Sequence, residues 1–397
     1  MQENFNSSIN LNQENSIVMK NRKSIHPFLA LAGSVLLVSA LTPATFAGVA
    51  DPVSIVNVTV DPLSTDFYGT PFARPVETRG TISSVSTNST STIFTVSVDA
   101  GETALDNAGF NFSNTSTAVD AWYVLEVLDG PAIGLIMDIT AATASTVTCQ
   151  NRMPDPTLVS AGSKFNIRKA WTLATLFGAS TNNINTGTAA IAAAYLGSGT
   201  TPTSTGVKAR VQTFDPFNNS LTTYYIRSSG GNFEFRATTS TNNADHTPLG
   251  MGRGFLIVNT KNSNQVIPFS GEYRIARSRF VVPGSRTALL ANPGPFTNDF
   301  VTADIVNTSP ARDSGATTST NPRATASDTW SLWNRAGRAF DSYRVGTGPV
   351  GSNTPSMYVA GLSTATNPVI RPFGAVAVKP IGNTTTTKLV TISPALK

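Results

Sequence analysis

Apolar and polar residues alternate with a period of two along much of the chain. In IVNVTV, Val56, Val58 and Val60 alternate with Asn57 and Thr59; in TIFTVSVD, Phe94, Val96 and Val98 alternate with Thr95 and Ser97. Successive side chains of a strand point to opposite faces, so each segment predicts a strand buried on one side. AWYVLEVLDGPAIGLIMDIT is apolar on both faces around Asp129, Gly130 and Pro131 and reads as a hairpin of largely buried strands. With STVTC and KFNIRKAW, these segments predict a small barrel or sandwich of six or seven strands between residues 53 and 171.

The pattern then changes. WTLATLFGAS and TAAIAAAYLGSG, between residues 171 and 198, are rich in Ala and Leu and end in Gly, which predicts two short helices. Strand patterns resume at residue 207 with a weak internal repeat. TYYIRSSGGNFEFRA resembles WSLWNRAGRAFDSYRV, and each is followed by a glycine, an apolar strand, a polar turn and a returning strand: MGRGFLIVNTKNSNQVIPF in one case, IRPFGAVAVKPIGNTTTTKLVTI in the other. RFVVPGSRTALLANPGPF likewise echoes VNVTVDPLSTDFYGTPFARP. Repetition of this kind predicts stacked β units. The stretch from Asn307 to Thr329 lacks the apolar residues needed to bury a face and predicts a long exposed loop.

The expectation is therefore an all-β protein of two β-sandwich or small-barrel domains, residues 51–170 and 207–397, joined by a short helical connection over 171–206. Ahead of them, Lys20, Arg22 and Lys23 precede the apolar run Phe28 to Leu41, followed by Pro43 and small residues. That order of basic, apolar and small residues reads as a secretory signal peptide within residues 1–50, with Met19 as an alternative start of translation. The run of fourteen residues is shorter than the roughly 20 of a spanning helix, so no membrane span is expected after cleavage at Ala47 or Ala50.

Composition narrows the chemistry. The chain past residue 50 carries 25 basic and 21 acidic residues, a surplus too small for a nucleic-acid footprint. Cys149 is the only cysteine, so an internal disulfide is excluded, and STVTCQN places it on the apolar face of a strand. One cysteine and His246 cannot supply the usual zinc or iron-sulfur ligand set, so neither metal nor other cofactor is expected.

ADPVSIVNVTV with TPFARP, RGTISSVS, YVLEVLDGPAIG, KAWTLATLFG, and GRGFLIVN leading to IPFSGE together resemble a paralogous family of secreted proteins of verrucomicrobial bacteria. The likeness covers most of the chain past residue 50 and departs from the family in the Thr-rich stretch after Asn307. It implies export and a β-rich build, and it carries over no site residue.

Candidate chemistry is sparse. Gly250, Gly252 and Gly254 precede an apolar strand, whereas a phosphate loop needs a helix start and a lysine-serine pair. Asp245 beside His246 is poorly placed to orient it, and no GxSxG elbow occurs. Asp299, Asp304, Asp328 and Asp341 are the acidic groups that a glycoside hydrolase would draw on. The aromatic segment offers the best binding surface: Trp330, Trp333 and Tyr343, with Arg335 in the turn, suit stacking on sugars or anchoring a partner. Arg277 and Arg279 fall close together on a strand face. The reading is an exported, non-enzymatic envelope or cell-surface protein, secreted, periplasmic or surface-bound, with a structural or adhesive role and with surface polysaccharide or self-association as partner. A carbohydrate-binding protein is the alternative, and a secreted glycoside hydrolase the third.

Overall fold

The computed structural model describes residues 53–70, 72–107, 110, 122–178, 188–273, 276–292, 296–309, 322–323, 325–337, 339–347, 355–362, 365–382 and 386–394. The signal segment and most of the Thr-rich stretch fall outside them. The chain folds as β1 (Val53–Val60), β2 (Thr65–Gly69), β3 (Phe72–Ala73), β4 (Val76–Thr87), β5 (Ser91–Val98), β6 (Tyr123–Val127), β7 (Leu135–Ala142), β8 (Thr146–Gln150) and β9 (Lys164–Lys169). Helices α1 (Leu173–Phe177) and α2 (Thr188–Leu196) follow, then β10 (Ala209–Asp215), β11 (Ser220–Ser229), β12 (Asn232–Ala237), β13 (Gly254–Asn259) and β14 (Gln265–Tyr273). The remainder is β15 (Ser278–Pro283), β16 (Ala288–Ala291), β17 (Asn298–Asp299), α3 (Ile305–Thr308), β18 (Thr329–Asn334), β19 (Ala339–Thr347), β20 (Pro355–Val359), β21 (Ala365–Thr366), β22 (Val369–Ile370), β23 (Ala375–Lys379) and β24 (Thr387–Ile392). The protein is all-β, of sandwich type.

Strands β4 to β9 close into a six-stranded antiparallel barrel in the order β7-β6-β9-β4-β5-β8, with β8 returning to β7. Alternation fills its interior: Leu125, Val127, Leu135, Met137, Ile139, Phe165 and Ile167 point inward. Cys149 is fully buried among them, and burial pushes its thiol well above the usual range. The outward set on the same strands includes Val124, Glu126, Asp138 and Arg168, and these meet the rest of the molecule.

The rest is built twice. The first copy comprises β1, β2 and β10 to β14; the second comprises β15, β16, β18 to β20, β23 and β24. One sheet runs β12-β11-β10-β13-β2, and the other runs β20-β19-β18-β23-β16. In each copy the first strand pairs antiparallel with the last, β1 with β14 and β15 with β24. The barrel and helices α1 and α2 are inserted between the second and third strands of the first copy. In the second copy β17, α3 and the Thr-rich stretch occupy the same place. The internal repeat is thus present, one strand out of the register that aromatic residues suggest: the counterpart of hairpin β18-β19 is β10-β11. The strands after the glycines, β14 and β24, leave for another sheet instead of pairing back with β13 and β23.

Strands on the two sides of residues 171–206 are hydrogen-bonded to one another, since β1 pairs with β14 and β2 with β13. The helices lie in the first copy's core, with Leu173, Leu176, Phe177, Ala192 and Leu196 packed on Phe235, Phe255 and Phe269. Helix α1 starts where it does because Thr172 and Thr175 form a reciprocal capping box. Hairpin β11-β12 closes over Gly230 and Gly231, both at positive φ (60° and 84°), which a two-residue turn of this hand requires.

The two copies pack through their second and sixth strands. The contact is Phe67 and Leu256 of the first copy against Leu289, Ala375 and Ala377 of the second, flanked by Phe214 and Trp333. Register makes Phe67 equivalent to Leu289, Gly69 to Ala291, Gly254 to Ala375 and Phe214 to Trp333. Bridges Tyr68 to Gly374 and Leu290 to Arg253 are the same contact with the copies exchanged. So are the 2.9 Å hydrogen bonds from Gly69 N to Phe373 O and from Ala291 N to Gly252 O. Reciprocal contact of equivalent residues is the mark of a two-fold relation. Gly69 is required at its centre, because a methyl group there would overlap the Ala291 side chain and backbone. Gly69→Ala should destabilise the fold by about 1–3 kcal/mol through overpacking, which a urea titration would detect.

Candidate functional site

The four aromatic-hairpin residues do not form one surface. Trp330 is fully buried in the second copy's core; its Nε1 donates to Ser309 Oγ (3.3 Å), and its ring meets Phe300 edge-on at 6.0 Å. It is not a stacking platform, because one face of β18 covers its own core and the other packs toward the first copy. Tyr343, paired with Trp330, is half-buried against Phe300, and burial raises its phenol above the usual range. Trp333 sits between Phe67 and Phe340, each 5.3 Å away. Phe340, 44% exposed, is the aromatic that the hairpin leaves open.

Arg335 enters a different constellation. Asp66, 1% exposed on β2, accepts from Phe67 N (2.9 Å), Tyr68 OH (3.0 Å), Arg371 Nη1 (2.8 Å) and Nη2, and Arg335 Nη2. The Arg371 guanidinium also lies 5.0 Å over the Tyr68 ring. Burial first, and the Asp66 charge next, push the Tyr68 phenol above its ordinary value. These residues bolt the first copy's edge strand to the second copy's turns.

The two-fold relation places a twin of this bolt on the other side of the contact. There Asp66 is replaced by Ala288, Tyr68 by Leu290, Arg335 by Pro216 and Arg371 by Gly250. Charged side chains give way to small or apolar ones, and the gap stays open. All four replacements line a cleft of about 330 Å³. Its other walls are the β10-β11 turn with Phe214, Asp215 and Phe217, the segment Thr247 to Gly250, and Arg253 with Gly254. The barrel adds Trp122, Asp138 and Gln150.

The charged groups of the cleft are engaged. Arg253 Nη2 lies 2.7 Å from Asp138 Oδ2. Asp215 accepts from Phe217 N (2.8 Å), Asn218 N (3.3 Å) and Asn218 Nδ2 (2.6 Å), which sets the turn. One donor is left over: Trp122 Nε1 is shielded from solvent and has no hydrogen-bond partner among the described residues. A buried donor in that state costs about 1–3 kcal/mol.

The glycine-rich stretch therefore does line a cleft, through structure and not through chemistry. Gly250 (φ 69°) and Gly252 (φ 71°) hold left-handed turns, and their carbonyls accept from Thr70 Oγ1 (2.7 Å) and Ala291 N (2.9 Å). Phe373, equivalent to Gly252, keeps the same left-handed backbone (φ 54°). His246 is half-buried; its neighbour Asp245 accepts from Phe235 N (2.7 Å) and Asn243 Nδ2 (3.3 Å), and burial raises the Asp245 carboxyl above its usual range.

The acidic candidates are spread over separate structural duties. Asp328 is fully buried and accepts from Ser309 Oγ (2.8 Å) and Ile381 N (2.9 Å); Asp299 caps Thr302 (2.7 Å). Asp304 lies 3.6 Å from Arg277, and Asp341 accepts from Asn334 (3.0 Å). Among the described residues no cluster of three or more His, Cys, Asp or Glu is placed to hold a metal ion, and no helix is long and apolar enough to cross a membrane.

Sequence reasoning missed the cleft. The signal was present in the repeat: aligned in the true register, it sets Gly250, Ala288 and Pro216 against Arg371, Asp66 and Arg335. The chain matches no protein-family model, no curated protein and no solved structure.

Proposed function

We propose that the chain is an exported, non-enzymatic envelope or cell-surface protein with a structural or adhesive role, acting by holding a ligand in the cleft between its two β copies and the barrel. The observation that carries this reading is the state of the cleft's polar groups. A glycoside hydrolase needs a carboxyl group free to give up a proton and a second carboxylate across the sugar ring. Asp138 is instead tied to Arg253, and Asp215 is tied to the amides of its own turn. What faces the cleft otherwise is aromatic, hydroxyl and amide surface, which binds without transforming. The basic and apolar run ahead of residue 51 supports export.

Cell fractionation with N-terminal mapping tests the first half. The mature chain should begin at Gly48 or Asp51 and be recovered with the envelope or the medium. Recovery of the uncleaved chain in the cytoplasm would overturn the proposal.

A further inference from the structure

Resting on the proposed cleavage, which leaves β1 at the start of the mature chain, we infer that the outer edge of β1 is a self-association surface. A second molecule of this chain adds its own β1 there, antiparallel about a two-fold axis, over residues 53–57. On its inner side β1 pairs with β14 along all 8 residues without a bulge. Asn57 stands opposite Pro268, which has no N–H to offer it. Thr59 O is engaged elsewhere, 2.9 Å from the Tyr68 hydroxyl and 3.3 Å from Arg335 Nη2. Both observations put Thr59, Asn57 and Ile55 in the alternate set whose N–H and C=O groups point away from β14. At Thr59 that edge is taken; at Ile55 and Asn57 no described residue hydrogen-bonds to it.

The internal repeat shows that such an edge accepts a strand. Counting back from Phe67 and Leu289 makes Arg279 the counterpart of Asn57, and Arg279 N donates to Gly134 O (2.8 Å) where β15 takes the barrel's β7 alongside. Edges elsewhere are covered as well: β12 by the bridge from Arg236 to Asn243, and β20 by β21. β1 lacks such cover, and VSIVNVTV contains none of the charges or prolines that keep an edge from pairing.

The same features select a second molecule of this chain as the occupant. An uncharged strand meets its own image without like-charge repulsion. Antiparallel pairing sets Ile55 opposite the second molecule's Ile55 and Asn57 opposite its Val53, so outward amides meet outward carbonyls and both obstructed Thr59 ends fall outside the contact. Parallel pairing would set the two obstructed ends side by side. The contact is short, so the dimer is weak in dilute solution and forms where the protein is concentrated on a surface.

Sedimentation equilibrium of the purified mature protein tests this. The average mass should climb toward twice that of the monomer between about 10 µM and about 1 mM, the range of a weak interface. Asn57→Pro removes an N–H that the β14 ladder does not use, and should weaken association at least about tenfold with little change in melting temperature. If Asn57→Pro unfolds the chain, Asn57→Lys, at an exposed position, places a charge at each end of the pairing and should have the same effect. Thr59→Lys, equally exposed but outside the pairing, should leave association within about twofold.

A mature protein that stays monomeric at about 1 mM overturns the inference, as does association that survives the Asn57 variants or is lost equally in Thr59→Lys. None of these results touches export, which fractionation and N-terminal mapping decide by themselves.

Discussion

Arg168→Ala is expected to destabilise the protein by about 3–5 kcal/mol, seen as a large fall in the urea midpoint without a matching change in slope. Arg168 on β9 and Glu126 on β6 both point out of the barrel, into the seam it shares with β14. Their side chains are 8% and 5% exposed and lie 3.3 Å apart. The same guanidinium reaches Glu272 of β14 at 3.0 Å and the Arg74 carbonyl at 2.7 Å. Truncation leaves Glu126 buried without that counter-charge, and the lost hydrogen bonds also loosen the barrel from the first copy. Adding Glu126→Gln in the same chain should recover much of the loss, because the carboxylate that faced Arg168 is then neutral. A loss below about 1 kcal/mol for Arg168→Ala alone would mean that water reaches the seam and that the triad does not hold the barrel in place.

Asp66→Ala should cost about 2–4 kcal/mol. The carboxylate accepts from one backbone amide, one phenol and two guanidinium groups, and bonds to charged partners are each worth about 1.5–3 kcal/mol. The sum is discounted because Arg335 and Arg371 are 40% and 33% exposed and can turn to solvent when released. Arg371→Ala in the Asp66→Ala background should then add little, whereas alone it should be clearly damaging. Additive losses in this cycle would show that the two residues do not act as one unit.

Much of the fold was legible in the sequence. Alternation marks β1 and β5 correctly, the apolar run FLIVN marks β13, and SSGGN announces the turn between β11 and β12. The short helices were visible in Ala and Leu content. What alternation cannot supply is the partner of a strand. It names the face of Val58 and Val60 that is buried but not that β14, two hundred residues later, lies beside them. The barrel over residues 76–169 was within reach because its six strands are joined by local connections, while β1 and β2 belong to the first copy. The repeat was visible but misaligned, because aromatic residues drew WSLWN onto TYYIR when its true counterpart is VQTFD. Valine at 211 stands where Trp330 does, and Phe214 stands where Trp333 does.

The site failed to show for a related reason. That Trp330 and Trp333 occupy opposite faces follows from the sequence; that both faces are covered follows from a second copy packing on the far side. Arg335 was singled out for a ligand and instead serves Asp66. The residues that open the cleft are Gly, Ala and Pro, whose contribution is the absence of bulk, and no composition or motif marks an absence.

The relation between the closed gap and the open one also fixes a stoichiometry. Two identical subunits meeting on a two-fold axis carry the same residues at both gaps, so they bind two ligands or none. Joined in one chain, the copies are free to differ: one gap is clamped shut by Asp66, Arg335 and Arg371, and the other stays open. On the proposed reading, each molecule then takes a single ligand, on one side only.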